Sequence, residues 1–261
     1  MKENILTPLQ MRELFHIEFL RWFSRKVKSA HYAVKGGVNI RLFFGSVRYS
    51  EDMDLDVSGV SVHALKDTVT LILNTPSFTE SLRPFGIKGV VPPDMAKAKQ
   101  TDTTQRFKVH LLTAAGEDLF TKVEFSRRGF GGKVIVESVP DLILRPYKLA
   151  PLLVPHYDAG SAITQKISAL GLRTVLQARD IFDLFVLHSQ IAQTSGLLGV
   201  ISNDLLKKAR ERVFEVKFEL FRDSVVEYLS LDDQNSYSNA SAWEEVKLTV
   251  AQFLEGVRTH A

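Results

Sequence analysis

The sequence contains no cysteine, so a disulfide framework and a thiolate metal site are both excluded. It also lacks an uninterrupted apolar run of the roughly 18 residues that a membrane span needs. The opening residues, MKENILTPLQMRELFHIEFL, mix charged with apolar side chains and show no apolar signal core. The net charge is only +3, which permits contact with a polyanion without demanding it. We therefore expect a folded cytoplasmic protein with no membrane segment.

Helix and strand signals change along the chain. Helical spacing over 8–30, 38–44 and 60–73 alternates with strand signals, which fall at 52–57, 106–112, 119–125 and 133–139. Four prolines between Pro140 and Pro155 disfavour a long helix there. Beyond them only helical patterns occur, at 162–173, 176–190, 202–229 and 242–257, with an acidic, serine-rich loop at 231–241. This order predicts an α+β fold, with an α/β domain over 1–155 and a helical domain over 156–261.

An acidic strand, DMDLDV, is the first candidate site. Alternate residues of a strand share a face, so Asp52, Asp54 and Asp56 lie together. Three neighbouring carboxylates repel one another unless a cation offsets them, and oxygen ligands favour Mg²⁺ or Mn²⁺. A calcium loop of the EF-hand type needs Gly and Glu where this chain has Val57 and His63, so that interpretation fails. An exposed acidic edge strand remains an alternative from these residues alone.

A pair of glycines precedes the acidic strand by one short helix. Gly36 and Gly37 open that helix, and helix amino termini bind anions because their free N–H groups point outward. A glycine pair also fits a plain turn, so its position before the acidic strand is what indicates phosphate binding. Arg48 and Ser50 lie on the turn just before the carboxylates, where each could contact a phosphate or cap the turn.

Two blocks of sequence resemble a known family. The first is the glycine pair, the short helix and RYSEDMDLDV; the second is KISALGLRTVLQARDIFDLFVL at 166–187. Together they resemble the AbiEii branch of the nucleotidyltransferase superfamily, the MenT-like toxins of type IV toxin–antitoxin systems. The resemblance implies a nucleotidyltransferase-type mixed β-sheet core with flanking helices, followed by a C-terminal helical domain that closes the nucleotide cleft.

The resemblance also implies roles for individual residues. Asp52 and Asp54 would be catalytic metal ligands for Mg²⁺ or Mn²⁺, with Asp56 in support. Glu124 in TKVEF is the candidate third metal ligand and catalytic carboxylate, although it also fits an ordinary exposed strand residue. Lys166 would contact the triphosphate as a point charge.

The remaining candidates are nucleotide-binding residues. Besides Gly36, Gly37, Arg48 and Ser50, they are Arg173, Asp180 and Asp183. Arg173 lies seven residues after Lys166, which corresponds to two helical turns. Asp183 could instead form a simple ion pair with Arg179, four residues earlier.

These assignments predict a metal-dependent transfer of a nucleoside monophosphate from a nucleoside triphosphate to an acceptor hydroxyl. The family implies RNA, a tRNA 3′ end, as the acceptor and a cognate antitoxin as a protein partner. Arg106, Lys108 and His110 share a strand face that suits RNA, although exposed faces are often basic for solubility alone. A protein or small-molecule acceptor and a non-catalytic nucleotide-binding module are the alternatives.

Overall fold

The computed structural model describes residues 6–193 and 201–257, which form two compact units. The first unit comprises residues 6–42, 49–130 and 134–156. The second comprises residues 43–48, 131–133, 157–193 and 201–257. Within the described residues, none of the helices combines the length and apolar character needed to cross a membrane.

Seven strands form one mixed sheet. They are β1 Tyr32–Lys35, β2 Asp52–Val57, β3 Ile87–Val91, β4 Thr104–Thr113, β5 Asp118–Ser126, β6 Val134–Ser138 and β7 Leu153–Tyr157. Their order across the sheet is β3-β4-β5-β2-β1-β7-β6. β2 runs parallel to β5 and β1 parallel to β7, whereas β1–β2, β3–β4 and β4–β5 are antiparallel pairs. The predicted α+β fold with a mixed sheet and flanking helices is therefore confirmed.

Five α-helices lie before residue 157 in the part of the chain that the structure describes. They are α1 Pro8–Ser24, α2 Gly36–Phe43, α3 Val62–Asn74, α4 Pro76–Leu82 and α5 Asp141–Leu144. Thr7 and Gln10 form a capping box at the start of α1, so two otherwise unpaired N–H groups are satisfied. Phe23 of α1 lies 5.4 Å from Phe125 of β5, and both rings are fully buried. This aromatic contact anchors the helix on the apolar face of the sheet.

Beyond residue 157 the described chain is helical. The helices are α6 Ala159–Leu172, α7 Ala178–Leu187, α8 Asn203–Val213, α9 Phe218–Ser224, α10 Leu231–Tyr237 and α11 Ala240–Gly256. Trp243 of α11 stacks on Phe221 of α9 with ring centroids 4.2 Å apart, and both side chains are fully buried. This stack lies in the core of the second unit.

The single long helix predicted over 202–229 is wrong. The helix ends at Val213 and a new one begins at Phe218, with Val216 buried between them. The carbonyl of Val216 accepts a hydrogen bond of 3.0 Å from the indole N–H of Trp243. A continuous helix would place that carbonyl in its own hydrogen-bond ladder, so the break is the arrangement that satisfies the buried indole.

The loop predicted over 231–241 is also wrong, since α10 occupies most of it. Ser230 caps this helix by accepting a hydrogen bond from the N–H of Asp233. Asp232 and Asp233 lie in the first turn, where negative charge is favourable. The residues that suggest a loop by composition therefore form a helix start.

Candidate active site

β2 presents its carboxylates on one face of the sheet. Asp52, Asp54 and Asp56 alternate with Met53 and Leu55, which are fully buried on the opposite face. Burial of the apolar residues fixes the strand in the core, so the three carboxylates lie in one line on its other face.

A row of four charged residues crosses the sheet at Asp54. Lys35 of β1 is the cross-strand neighbour of Asp54, which neighbours Glu124 of β5, which in turn neighbours Arg106 of β4. Lys35 reaches past its neighbour to Asp56, with Nζ 2.6 Å from Oδ1. Two carboxylates therefore stand between two cations, and we call these four residues the charged row.

Two cations engage the carboxylates around Asp54. Lys122 Nζ lies 2.8 Å from Asp52 Oδ2 and 3.9 Å from Glu124 Oε2. Arg106 Nε lies 2.7 Å from the same Glu124 oxygen. Asp54, in contrast, makes no ion pair with any residue that the structure describes. Its charge is the least compensated on this face.

Burial raises the pKa of Asp54 above its ordinary value. The neighbouring carboxylates Glu124 and Asp52 raise it further, while Lys122 and Lys35 oppose the shift without reversing it. Ionisation of Asp54 in the folded protein is therefore less favourable than that of a free carboxylate, and an added cation would favour it. Such a group is typical of a functional site.

One oxygen beside Asp54 has no hydrogen-bond donor. Asp52 Oδ1 is shielded from solvent, and no described residue donates a hydrogen bond to it. A bound divalent cation would offset that cost, so Asp52 and Asp54 fit a site for Mg²⁺ or Mn²⁺. Glu124 is held by Arg106, and within the described ranges no three His, Asp or Glu side chains form a group that could hold a metal ion.

Gly36 lies directly against the acidic strand. It begins α2 with a φ of +65°, and an added Cβ would lie 3.2 Å from Asp54 Oδ2. Only glycine adopts this backbone without strain and leaves that space open. Gly37 follows as the second residue of α2, so the amino terminus of the helix lies beside the carboxylate.

A buried chain of hydrogen bonds supports the start of β2. His16 Nε2 lies 2.9 Å from the hydroxyl of Thr121, which donates a bond of 2.7 Å to the carbonyl of Glu51. Ser50 Oγ donates a bond of 2.7 Å to the carbonyl of Asp52. Burial lowers the pKa of His16 to about 3, so this imidazole is neutral. The hydroxyl of Ser50 is thus engaged in placing the strand.

The other predicted residues form a separate group in the second unit. Asp183 receives a forked contact from Arg48, with Nη2 2.9 and 3.1 Å from its two oxygens. Lys166 Nζ lies 2.6 Å from Asp183 and 2.9 Å from Asp180. Arg173 Nε lies 3.0 Å from Asp180. We call these five residues the buried ion network.

Charge pairing exceeds the cost of burial in this network. Burial alone would raise the pKa of Asp183, but Arg48 and Lys166 outweigh it and lower that pKa. Burial likewise opposes the charge of Lys166, yet Asp183 and Asp180 raise its pKa above the ordinary value. Asp183 and Lys166 are therefore both held charged inside the protein.

The structure refines two predicted pairings. Arg173 stands one residue past the end of α6, in an extended conformation, so it does not continue the helical face of Lys166. Both cations nevertheless reach Asp180. Asp183 pairs with Arg48 and Lys166 rather than forming a simple intrahelical pair with Arg179.

The mixed sheet, the glycine-started helix and the paired aspartates define the arrangement of a nucleotidyltransferase. A family model described as the nucleotidyltransferase AbiEii toxin of type IV toxin–antitoxin systems matches residues 18–257. The chain belongs to the AbiEii family and is a nucleotidyltransferase. The family predicted from the two sequence blocks is confirmed.

Solved structures share this fold at low sequence identity. JHP933 from Helicobacter pylori is 18% identical with a TM-score of 0.58, over 97% of this chain and 92% of that one. The nucleotidyltransferase toxin MenT4 from Mycobacterium tuberculosis is 17% identical with a TM-score of 0.57, over 96% of this chain and 85% of that one. A search of curated proteins found no significant match.

Sequence reasoning assigned no role to the cations that hold the carboxylates. Lys122 alternates with Glu124, which indicates a shared face, but its contact with Asp52 depends on the β2–β5 register. Arg106 belongs to the predicted basic face, and its bond to Glu124 depends on the β4–β5 register. The alternation in TKVEF is the one local signal that links Lys122 with Glu124.

Proposed function

We propose that this nucleotidyltransferase transfers a nucleoside monophosphate from a nucleoside triphosphate to a hydroxyl group of RNA, with the 3′ end of a tRNA as the acceptor. The observation that carries the proposal is the environment of Asp52 and Asp54. Asp52 has an oxygen without a hydrogen-bond donor, and Asp54 has a raised pKa and lies beside a helix amino terminus. Carboxylates in this state suit cation-assisted phosphate chemistry.

Asp52 and Asp54 would hold Mg²⁺ or Mn²⁺, which when bound offsets triphosphate charge and stabilises the leaving group. The N–H groups at the start of α2 would donate to a phosphate oxygen, and the absence of a side chain at Gly36 keeps the space beside Asp54 open. Glu124, next to Asp54, is the proposed acceptor of the hydroxyl proton. To act as a third ligand it would have to turn from Arg106 toward the cation.

The reaction balances without a further reactant. The acceptor oxygen forms a bond to the α-phosphorus, the bond from that phosphorus to the bridging oxygen of the β-phosphate breaks, and pyrophosphate leaves. The hydroxyl proton passes to a carboxylate such as Glu124. Positioning and electrostatic stabilisation account for catalysis of this kind.

The buried ion network enters the proposal through Lys166 and Arg173. Family membership supports Lys166 as a triphosphate contact, with Asp180 and Asp183 holding its ammonium group. The side chain of Arg173 is 43% exposed, so a ligand can reach it without dismantling the network. We further propose a cognate antitoxin as a partner, because the family consists of toxins of toxin–antitoxin systems, and a cytoplasmic location.

Radiolabelled nucleotide transfer tests the proposal. The purified protein is incubated with each α-labelled nucleoside triphosphate, Mg²⁺ or Mn²⁺, and total tRNA. We expect label in RNA, and a reduction of about 100-fold or more in Asp54→Ala because metal-assisted charge stabilisation contributes several kcal/mol. Asp67→Ala, an exposed aspartate of α3, is the matched control and should retain activity.

Separating RNA, protein and small molecules after the reaction identifies the acceptor. Label confined to protein or to a small molecule would overturn the RNA acceptor and retain the enzyme class. Transfer to RNA that Asp54→Ala leaves unchanged would overturn the proposed site.

A further inference from the structure

A basic groove lies on the solvent side of β4, in the first unit. It has a volume of about 490 Å³ and lies between the strand and the segment that follows β3. Pro92 and Pro93 contribute apolar rings to its wall, and Lys97 and Lys99 project from the same segment. The strand side is formed by Arg106, Lys108 and His110.

Positive charge dominates this groove. Lys97, Lys99, Arg106 and Lys108 line it, against the single carboxylate of Asp94. Asp94 is itself paired with Lys97 at 3.5 Å. The whole chain carries a net charge of only +3, so the surplus of cations here is local. Such a patch attracts phosphate oxygens.

A backbone and a side-chain hydrogen bond join the two sides of the groove. The N–H of Arg106 donates to the carbonyl of Lys99 at 2.8 Å, and the side-chain amide of Gln105 donates to Gln100 at 2.7 Å. Arg106 and Lys108 are two residues apart on a strand, which corresponds to about 6.8 Å. Cations are therefore spaced along the groove at fixed positions.

The groove begins at the charged row. Arg106 lines it and also donates to Glu124, which neighbours Asp54 in the sheet register. From that point the cationic side chains extend along β4 toward His110. A chain of phosphates bound there would bring its end to the carboxylates.

We propose that this groove binds the phosphodiester backbone of the acceptor strand, a single-stranded end of RNA, and delivers its terminal hydroxyl to Asp54 and Glu124. The inference rests on the proposed function and adds the location of the acceptor. Lys97 and Arg106 already pair with Asp94 and Glu124, so Lys99 and Lys108 are the cations that phosphates would contact first. The two proline rings offer an apolar surface for a sugar or base. A free triphosphate would share this chemistry, so the test separates the two.

Fluorescence anisotropy with a short single-stranded oligoribonucleotide measures the binding directly, without nucleotide or divalent metal. Lys99→Ala/Lys108→Ala removes two exposed groove cations, and Lys26→Ala/Lys28→Ala removes two exposed cations beyond α1 as the matched control. We expect the groove variant to weaken binding several-fold and to reduce the slope of log K against log salt by about 1.4, since each phosphate contact on a single strand contributes about 0.7. The control should match the wild type.

An equal loss of oligonucleotide affinity in the two double variants would overturn RNA binding by the groove. Displacement of the oligonucleotide by unlabelled nucleoside triphosphates at concentrations near their KM would overturn it as well. Circular dichroism tests whether each variant is folded. Lys108→Glu is an independent second variant, and it should weaken oligonucleotide binding more than Lys108→Ala because it reverses the charge.

Transfer kinetics separate this inference from the proposed function. If both hold, the groove variant raises KM for RNA and leaves KM for the nucleotide unchanged. Transfer to RNA with an unchanged RNA KM overturns the groove alone. A third outcome is that the groove variant loses oligonucleotide binding while the wild type transfers label only to protein. That result would support RNA binding in the groove and overturn RNA as the acceptor.

Discussion

Asp54 in the first unit and Asp183 in the second are both carboxylates removed from solvent, yet burial leads to opposite results. The pKa of Asp54 is raised, because the other carboxylates add to the effect of burial and the nearby lysines do not offset it. The pKa of Asp183 is lowered, because Arg48 and Lys166 contact it directly. Asp183 is in direct contact with two counter-charges, whereas Asp54 forms no ion pair with any residue that the structure describes.

The two carboxylates are therefore expected to differ in what they contribute, Asp183 to the stability of the fold and Asp54 to the binding of a cation. A buried carboxylate with all its partners present stabilises the fold only as long as each partner stays. A carboxylate without enough positive charge around it costs stability and gains affinity for a cation. The comparison can be tested by removing one charge at a time.

The largest effect is expected in the buried ion network. Asp183→Asn leaves Arg48 and Lys166 buried without their shared counter-charge, so the free energy of unfolding should fall by about 3–5 kcal/mol. Urea denaturation measures it. Asp204→Asn, an exposed aspartate in the first turn of α8, should change stability by about 1 kcal/mol or less. A similar small change in Asp183→Asn would show that the network contributes little to the fold.

An intermediate effect is expected from the support beneath the charged row. The pKa of His16 is about 3 in the folded protein and 6.5 as a free group, so the unfolded chain binds more protons between these values. Stability should therefore fall as pH drops through this window. Between pH 7 and pH 5 the wild type should lose about 2 kcal/mol more than His16→Gln, which cannot titrate. Parallel pH profiles of the two proteins would show that His16 is not buried in its neutral form.

The smallest effect on stability is expected at Asp54, and it has the opposite sign. Because its raised pKa means that the ionised form is disfavoured in the folded state, Asp54→Asn should unfold at a higher temperature than the wild type in metal-free buffer at neutral pH. Added Mn²⁺ should stabilise the wild type and not the variant. Asp67→Asn serves as the exposed control. A lower unfolding temperature for Asp54→Asn would remove the contrast with Asp183.

Local patterns were sufficient for much of the site and the fold. The alternation in DMDLDV predicts β2, and the glycine pair predicts the helix start beside it. The partner of Arg48 lies 135 residues along the chain, so no local pattern could identify Asp183. The bond between Arg106 and Glu124 likewise depends on strand register. A single sequence does not predict which charged residues pair when they are far apart along the chain.

The two wrong predictions in the helical region overlook specific hydrogen bonds. Periodicity over 202–229 is consistent with one helix, but the indole of Trp243 requires the carbonyl of Val216 and so a break at that point. The composition of 231–241 suggests a loop, but Ser230 and two aspartates cap a helix there. In both cases a specific hydrogen bond outweighs the average tendency of the residues.

The position of the label in the nucleotide tests whether the carboxylates of β2 direct nucleotidyl transfer. Parallel reactions contain nucleoside triphosphate labelled at the α- or the γ-phosphate, with wild type, Asp54→Ala and Asp67→Ala. We expect that α-label enters the acceptor with wild type and Asp67→Ala, that γ-label leaves as pyrophosphate, and that Asp54→Ala transfers neither. Transfer of γ-label to the acceptor, or α-label transfer that survives Asp54→Ala, would contradict it.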